Sequence, residues 1–229
     1  MQGHKYVPAL GLRWLTPLYD ALVDGPMSAA RMRQAVFAQL GDLSGRAVLD
    51  VGCGTGTLAM MIQQANPAAH VAGLDGDRQI LQIAHTKARR SRLTTEFTEA
   101  MSDTMPFGDA SFDFVLTTLM LHHLTKDGKQ GTAVEMYRVL RPGGTLLGLD
   151  FAEPRGPMGR GLRPLTRRFE RVAENLDGLL PALFERAGFR GYVELRRFIL
   201  GSVALFRASK PQLPAPDSGP TWPAGAAPN

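Results

Sequence analysis

The chain alternates two hydrophobic periods. Residues 47–51, AVLDV, form a short apolar run interrupted only by Asp50. That pattern suits a strand buried on both faces of a parallel sheet. Thr57 onward, TLAMMIQQA, reads as a helix, and Asn66-Pro67 breaks it. HVAGLD, 70–75, is a second strand. The next helix, 76–90, turns Ile80, Leu81, Ile83 and Ala84 inward and carries its Lys and Arg residues late, as the helix dipole favours. A third strand falls at 94–100 and a fourth at 111–118. A helix at 132–140 is stopped by Pro142 and Gly143, and Gly144 opens a fifth strand, TLLGLDF. A last helix covers 179–187 and Gly188 closes it. Residues 191–198 and 199–210 form a terminal strand pair with Gly201 near the turn. Strands alternating with helices predict an α/β fold on a mostly parallel sheet.

The ends read differently. Residues 6–23 are apolar and aromatic but interrupted by Pro8, Gly11 and Pro17. Residues 28–40 are helical in pattern, with Met32, Ala35, Val36 and Leu40 at helical spacing and Ser28 as N-cap. From 211 to 229 there are six prolines and little periodicity, which predicts a disordered tail. The expected organisation is a helical cap over 1–40, one domain over 41–209 with an arginine-rich insertion at 153–176, and the tail over 210–229.

Composition narrows the function classes. The 229 residues are 44% hydrophobic, enough for a full core in one domain. No apolar run approaches the ~20 residues of a membrane span. The N-terminus lacks a secretory pattern, and the single cysteine excludes an internal disulfide, so a cytoplasmic protein is expected. No Cys/His cluster has metal-ligand spacing, so no metal is expected. The net charge of +5 is unevenly placed: Arg155, Arg160, Arg163, Arg167, Arg168 and Arg171 are opposed locally only by Glu170. No aromatic-rich basic surface accompanies them, which disfavours nucleic acid. The segment is either a solvated, mobile stretch or a contact for an anionic substrate or acidic membrane surface, without a membrane span. Nothing in the pattern sets an oligomeric state.

The candidate chemistry centres on the loop after the first strand. Gly52, Gly54 and Gly56 alternate between strand and helix, which allows a tight turn and close approach of a ligand to the backbone. The helix start adds free N–H groups and partial positive charge. The loop is G-x-G-x-G. It lacks the third glycine of a dinucleotide fingerprint, where Thr57 stands, and it is not a P-loop. Cys53, inside the loop, reads as a small residue that fits rather than a nucleophile. Asp50, ending the strand beside the glycines, needs a partner if buried. Asp75 ends the second strand 19 positions after Gly56, a spacing that suits ribose hydroxyls.

The run D-x-G-x-G-x-G at 50–56 resembles motif I of the class I S-adenosylmethionine-dependent methyltransferases. Further stretches resemble the same family in order: G-L-D at 73–75, M-P-F-G-D-A-S-F-D-F-V at 105–115, L-H-H at 121–123 and R-V-L-R-P-G-G at 138–144. The likeness covers roughly 40–208 and is nearest to the ubiquinone/menaquinone C-methyltransferase-like, small-molecule enzymes. It implies a Rossmann-like sheet of seven strands ordered 3-2-1-4-5-7-6, the last antiparallel, with helices on both faces and a cap over the cofactor site.

By that resemblance, S-adenosylmethionine is the cofactor and a small molecule, quinone-like or otherwise hydrophobic, is the acceptor. The backbone of Gly52, Cys53, Gly54, Thr55 and Gly56 faces its methionine part, and Asp50 helps hold the amino group. Asp75 and Gly76 meet the ribose, with Asp77 as a helix cap. Met101 stands where the family carries an Asp or Asn for the adenine amino group, and Ser102 offers a backbone N–H. Thr118 and Leu119 lie under the methyl group. Tyr19 and Asp20 resemble a pair before motif I, or are core contacts of a packed helix. His122 or His123 is a general base, or else a capping or packing residue. Asp150 faces the acceptor, caps, or pairs with the arginine segment. Two other readings remain: a cofactor- or partner-binding protein without turnover, and a nicotinamide oxidoreductase, against which Thr57 counts.

Overall fold

The fold is seen in a computed structural model that describes residues 26–155, 175 and 177–212. Its centre is the strand that carries Asp50. β1 (Ala47–Val51) lies between β2 (His70–Asp75) and β4 (Phe112–Thr118), parallel to both. β3 (Glu96–Glu99) adds outside β2. β5 (Leu140–Phe151) adds beside β4, followed by β7 (Val203–Ser209) and then β6 (Arg190–Phe198). The seven-stranded order is therefore 3-2-1-4-5-7-6, with β7 antiparallel to both β5 and β6, as expected from the sequence.

Helices cover both faces of this sheet, which is why its central strands are apolar on both sides. On one face pack α1 (Pro26–Phe37), α2 (Thr57–Ala65) and α3 (Arg78–Arg90), through Val36, Ile62 and Ala84 among others. On the other pack α4 (Lys126–Val139) and α5 (Leu180–Arg186), through Met136 and Phe184. The stretch 105–109 is held by Arg138 of α4. Its guanidinium donates to the carbonyls of Met105 (3.0 Å) and Phe107 (2.8 Å) and to Asp109 (2.8 Å). Two of the motifs read from the sequence thus meet in one structural lock.

Several local expectations are corrected. α1 starts at Pro26, so Ser28 lies in its first turn and is not the cap; proline suits a first position because its missing N–H needs no partner there. α4 starts at Lys126, six positions before the expected Thr132. The Thr125 side chain caps it by accepting from the Gly128 N–H, and two glycines in its first half hide the helical pattern. Pro142 and Gly143 do not stop that helix. Leu140 already turns extended and pairs with Phe112, and pairing resumes at Thr145 opposite Phe114, so residues 141–144 bulge from β5. Ile83 points outward at 50% exposure, because the buried face of α3 runs through Leu81, Ala84 and Ala88. β3 is shorter than 94–100. Residues 1–25 of the expected cap, most of the insertion and the tail from 213 lie outside the described residues. No described helix is long and apolar enough to cross a membrane.

Candidate functional site

The chain leaves β1 through the glycine loop, and the loop is tied to β2. The N–H groups of Gly52 and Cys53 both donate to the Leu74 carbonyl, at 2.7 and 3.0 Å. The Gly54 N–H donates to the Asp75 carboxylate at 2.9 Å. Gly56 ends the loop at φ 71°, and a Cβ there would lie 2.4 Å from the Phe97 ring, so only glycine fits. Gly54 also has a left-handed φ of 54°, but the space where its Cβ would stand is open. One glycine thus permits packing and the other leaves room.

That room is a cavity of about 290 Å3, at the lower edge of the roughly 300–1,000 Å3 typical of small-molecule sites. Asp50, Gly52, Cys53, Gly54, Thr55, Thr118 and Leu119, all expected site residues, line it. Ala29, Met32 and Arg33 of α1, with Thr57, Leu58 and Leu149, complete its wall. Leu119 holds φ at 52°, an unfavourable value for a branched residue, while its N–H donates to the Leu149 carbonyl at 2.7 Å.

The cavity has two electrical poles. Asp50 is 1% exposed, and neither carboxylate oxygen has a hydrogen-bond partner. Burial, then the negative charge of Asp75, pushes its pKa up to about 7, opposed only by the nearby Ala59 amide. Arg33 supplies the opposite charge, and among the described residues it has no carboxylate partner. Cys53 is buried. Burial and the charges of Asp50 and Asp75 push its thiol pKa up, which keeps it protonated and inert.

Among the described residues, five expected for the cofactor do not line this cavity: Gly56, which packs against Phe97, and Asp75, Gly76, Met101 and Ser102. Asp75 spends one oxygen on Gly54 N–H and the other on Asp77 N–H, both at 2.9 Å. Asp77 caps α3, accepting from Gln79 and Ile80 N–H. Met101 is 52% exposed, with its sulfur over Gly76 where a Cβ would stand at 3.1 Å. Ser102 is turned inward to the Thr132 hydroxyl at 2.7 Å. Asp75, Gly76, Met101 and Ser102 therefore form a separate rim at the carboxyl ends of β2 and β3. The Gly54–Asp75 hydrogen bond joins rim to cavity.

Beyond β4 the chain makes a single 3-10 turn, Leu121–His123. Asp150 near the end of β5 is fully buried and organises this turn. It accepts from the Leu121 N–H (2.8 Å), from the Phe151 N–H (2.7 Å) and from Asn175 (3.3 Å), and it contacts His122 Nδ1 at 2.8 Å. Burial alone would raise its pKa; the charge and hydrogen bond of His122, with the two amides, bring it below the ordinary value. An ionised carboxylate only accepts, so His122 donates from Nδ1, and in the neutral form of the ring the lone pair is then on Nε2. Of the three readings of Asp150, capping is seen at the Leu121 N–H, and among the described residues its charge partner is His122. His123 is exposed and stacks obliquely on His122, with ring centres 4.0 Å apart. Met120 lies against Gly52, so this turn abuts the glycine loop.

The sequence reading missed Arg33 in the cavity lining and the His122–Asp150 pairing. Ala29 and Arg33, four apart on one helix face, were the available signal for the first. Tyr19, Asp20 and Arg160 through Arg171 lie outside the described residues. Arg155 is described, and it pairs with Glu194 at 3.2 Å. Among the described residues no group of three His, Cys, Asp or Glu side chains is placed to hold a metal.

Comparison with known proteins gives a consistent answer. Residues 48–144 match the family model described as a methyltransferase domain. A demethylmenaquinone methyltransferase of Thermus thermophilus is 37% identical over 138 residues, 60% of this chain and 60% of that protein; the chain thus spans under two thirds of that relative's length. The enzyme of the same name from Tropheryma whipplei is 32% identical over 200 residues, 78% of this chain and 80% of its own. Among solved structures, the [4+2]-cyclase SpnF shares the fold at a TM-score of 0.64 and 21% identity, covering 86% of this chain and 93% of its own. The glycine loop with its buried acid, the sheet order and the relatives' extent agree: the chain belongs to the class I S-adenosylmethionine-dependent methyltransferase family.

Proposed function

We propose that the protein transfers a methyl group from S-adenosylmethionine to a small, hydrophobic, quinone-like acceptor. The observation that carries this reading is the unpartnered, buried Asp50 carboxylate facing a cavity whose other pole is Arg33. A buried charge without a partner is costly, and a ligand bearing an ammonium and a carboxylate answers both poles. The amino-acid end of S-adenosylmethionine has that form, so the residues present fit the cofactor. Asp50 would hold its ammonium, Arg33 its carboxylate, and the open face of Gly54 would admit its backbone approach. Asp75, with spare lone pairs, would take ribose hydroxyls. Met101 and Gly76 offer the adenine an apolar edge but no acceptor for its amino group. Bound there, the cofactor supplies a sulfonium-activated methyl for in-line displacement, leaving S-adenosylhomocysteine.

The chain's own work is orientation and one proton. Thr118, Leu119 and Leu149 wall the cavity toward the turn that carries His122. Asp150 fixes the His122 tautomer and balances the charge that its ring gains, so Nε2 can take a proton from an acceptor hydroxyl or ring carbon. Positioning accounts for most of the expected acceleration. The acceptor class rests on the demethylmenaquinone methyltransferases among the relatives. Turnover with methyl-labelled S-adenosylmethionine and a short-chain demethylmenaquinone tests the reading. Label in the quinone with equal S-adenosylhomocysteine supports it. Cofactor binding without S-adenosylhomocysteine formation across quinone and phenolic acceptors refutes transfer and favours a binding role.

A further inference from the structure

Behind the glycine loop lies a lysine that neither motif nor resemblance singles out. Lys87, in the last turn of α3, reaches 32 positions back along the chain. Its ammonium donates to the Thr55 carbonyl (3.1 Å), the Thr55 hydroxyl (3.1 Å) and the Thr57 hydroxyl (2.9 Å). Three donors on one nitrogen meet three acceptors, so the group is spent within the protein. Every acceptor belongs to the last residues of the loop or the first residue of α2.

The placement is electrostatically unfavourable. A cation at a helix N-terminus opposes the dipole. Arg33 lies close enough to push the Lys87 pKa down further, after burial has lowered it. Among the described residues no carboxylate pairs with it. α2 also starts without a side-chain cap, since Gly56 holds that position. Such a cost persists where the geometry it enforces is needed. What it enforces is the shape of Thr55–Thr57, whose first residue lines the cavity together with Thr57 itself.

We propose that Lys87 is a positioning residue of the cofactor loop, its ammonium acting as the brace that holds Thr55 and Thr57 while the open Gly54 remains free to meet the ligand. Gly52 and Gly54 are tied to β2, and Lys87 ties the other end of the loop to α3. The loop is thus fixed from both sides, and neither Asp75 nor Lys87 lines the cavity. Its importance for binding rests on the cofactor reading above; the brace itself does not.

The full chain carrying Lys87→Met tests this, because methionine keeps the apolar stem and removes all three donors. Amide hydrogen exchange without ligand reads the loop directly. Exchange at residues 54–57 should accelerate roughly tenfold or more, as hydrogen bonds from a charged group are lost, while β2 and the body of α3 stay protected. S-adenosylhomocysteine affinity should fall by a similar factor, and KM for the cofactor should rise with kcat little changed. Lys87→Arg should recover part of both. If Lys87→Met does not fold, Thr57→Val removes the shortest of the three bonds and should move both readouts the same way. Unchanged loop exchange overturns the brace. A wild-type protein that binds neither S-adenosylmethionine nor S-adenosylhomocysteine overturns the cofactor reading instead, and leaves the exchange experiment to decide the brace alone.

Discussion

Replacing Asp50 by Asn should make the empty protein more stable and the cofactor weaker. The wild-type carboxyl is raised from 3.8 to about 7 on folding. Between those values the folded protein keeps a proton that the unfolded chain has released, so stability falls as pH rises from about 4 to 7. Each pH step is worth about 1.4 kcal/mol, so the full loss approaches about 4 kcal/mol above pH 7. Asparagine does not titrate. Whatever its buried amide costs is the same at every pH, so the slope is diagnostic rather than the offset. Urea denaturation from pH 4 to 8 should show the two stability curves separating by a few kcal/mol in favour of the variant. Binding should show the opposite sign. An ammonium is held by the ionised carboxylate only, so apparent affinity should rise roughly fivefold from pH 6 to pH 7 in the wild type and stay flat in Asp50→Asn. Parallel stability curves would mean that Asp50 is not an unpartnered buried acid, and the electrostatic case for the cavity would fail.

Other outcomes follow from neighbouring residues. Asp75→Ala removes the acceptor of the Gly54 and Asp77 amides and with it the proposed ribose contact, and calorimetry should show S-adenosylmethionine weakened by about 1–3 kcal/mol. His122→Gln should lower kcat by roughly 10²–10⁴ while cofactor affinity holds, if Nε2 is the base; an unchanged kcat would return His122 to a packing role. Gly56→Ala drives a Cβ against Phe97 in a left-handed conformation, and should cost about 2–5 kcal/mol of unfolding free energy.

The parts legible in the sequence were those written locally. The strand, glycine loop and helix at 47–65 follow one another, and their pattern is unambiguous. Asp77 reads as a cap because its partners are two and three residues away. The strand order was legible only through resemblance, since alternation gives strands but not their sequence across the sheet. What the pattern hid was long in range or masked by glycine. Lys87 and Thr55, or His122 and Asp150, are about 30 residues apart, and no spacing rule links them. Asp150 looked like several things because its partner comes from another strand's end. The start of α4 was hidden by Gly128 and Gly131, whose weak helix propensity tertiary packing and the Thr125 cap override. Ile83 was misplaced because an apolar residue next to a helix stripe need not belong to it.

The central claim is that the cavity between Asp50 and Arg33 holds S-adenosylmethionine. Calorimetric titration of the purified protein near pH 7 with S-adenosylmethionine, S-adenosylhomocysteine and NADH tests it most directly. The account predicts micromolar binding of the first two, no heat from NADH, and weakening of both in Arg33→Met. NADH binding, or silence from all three ligands, would contradict it.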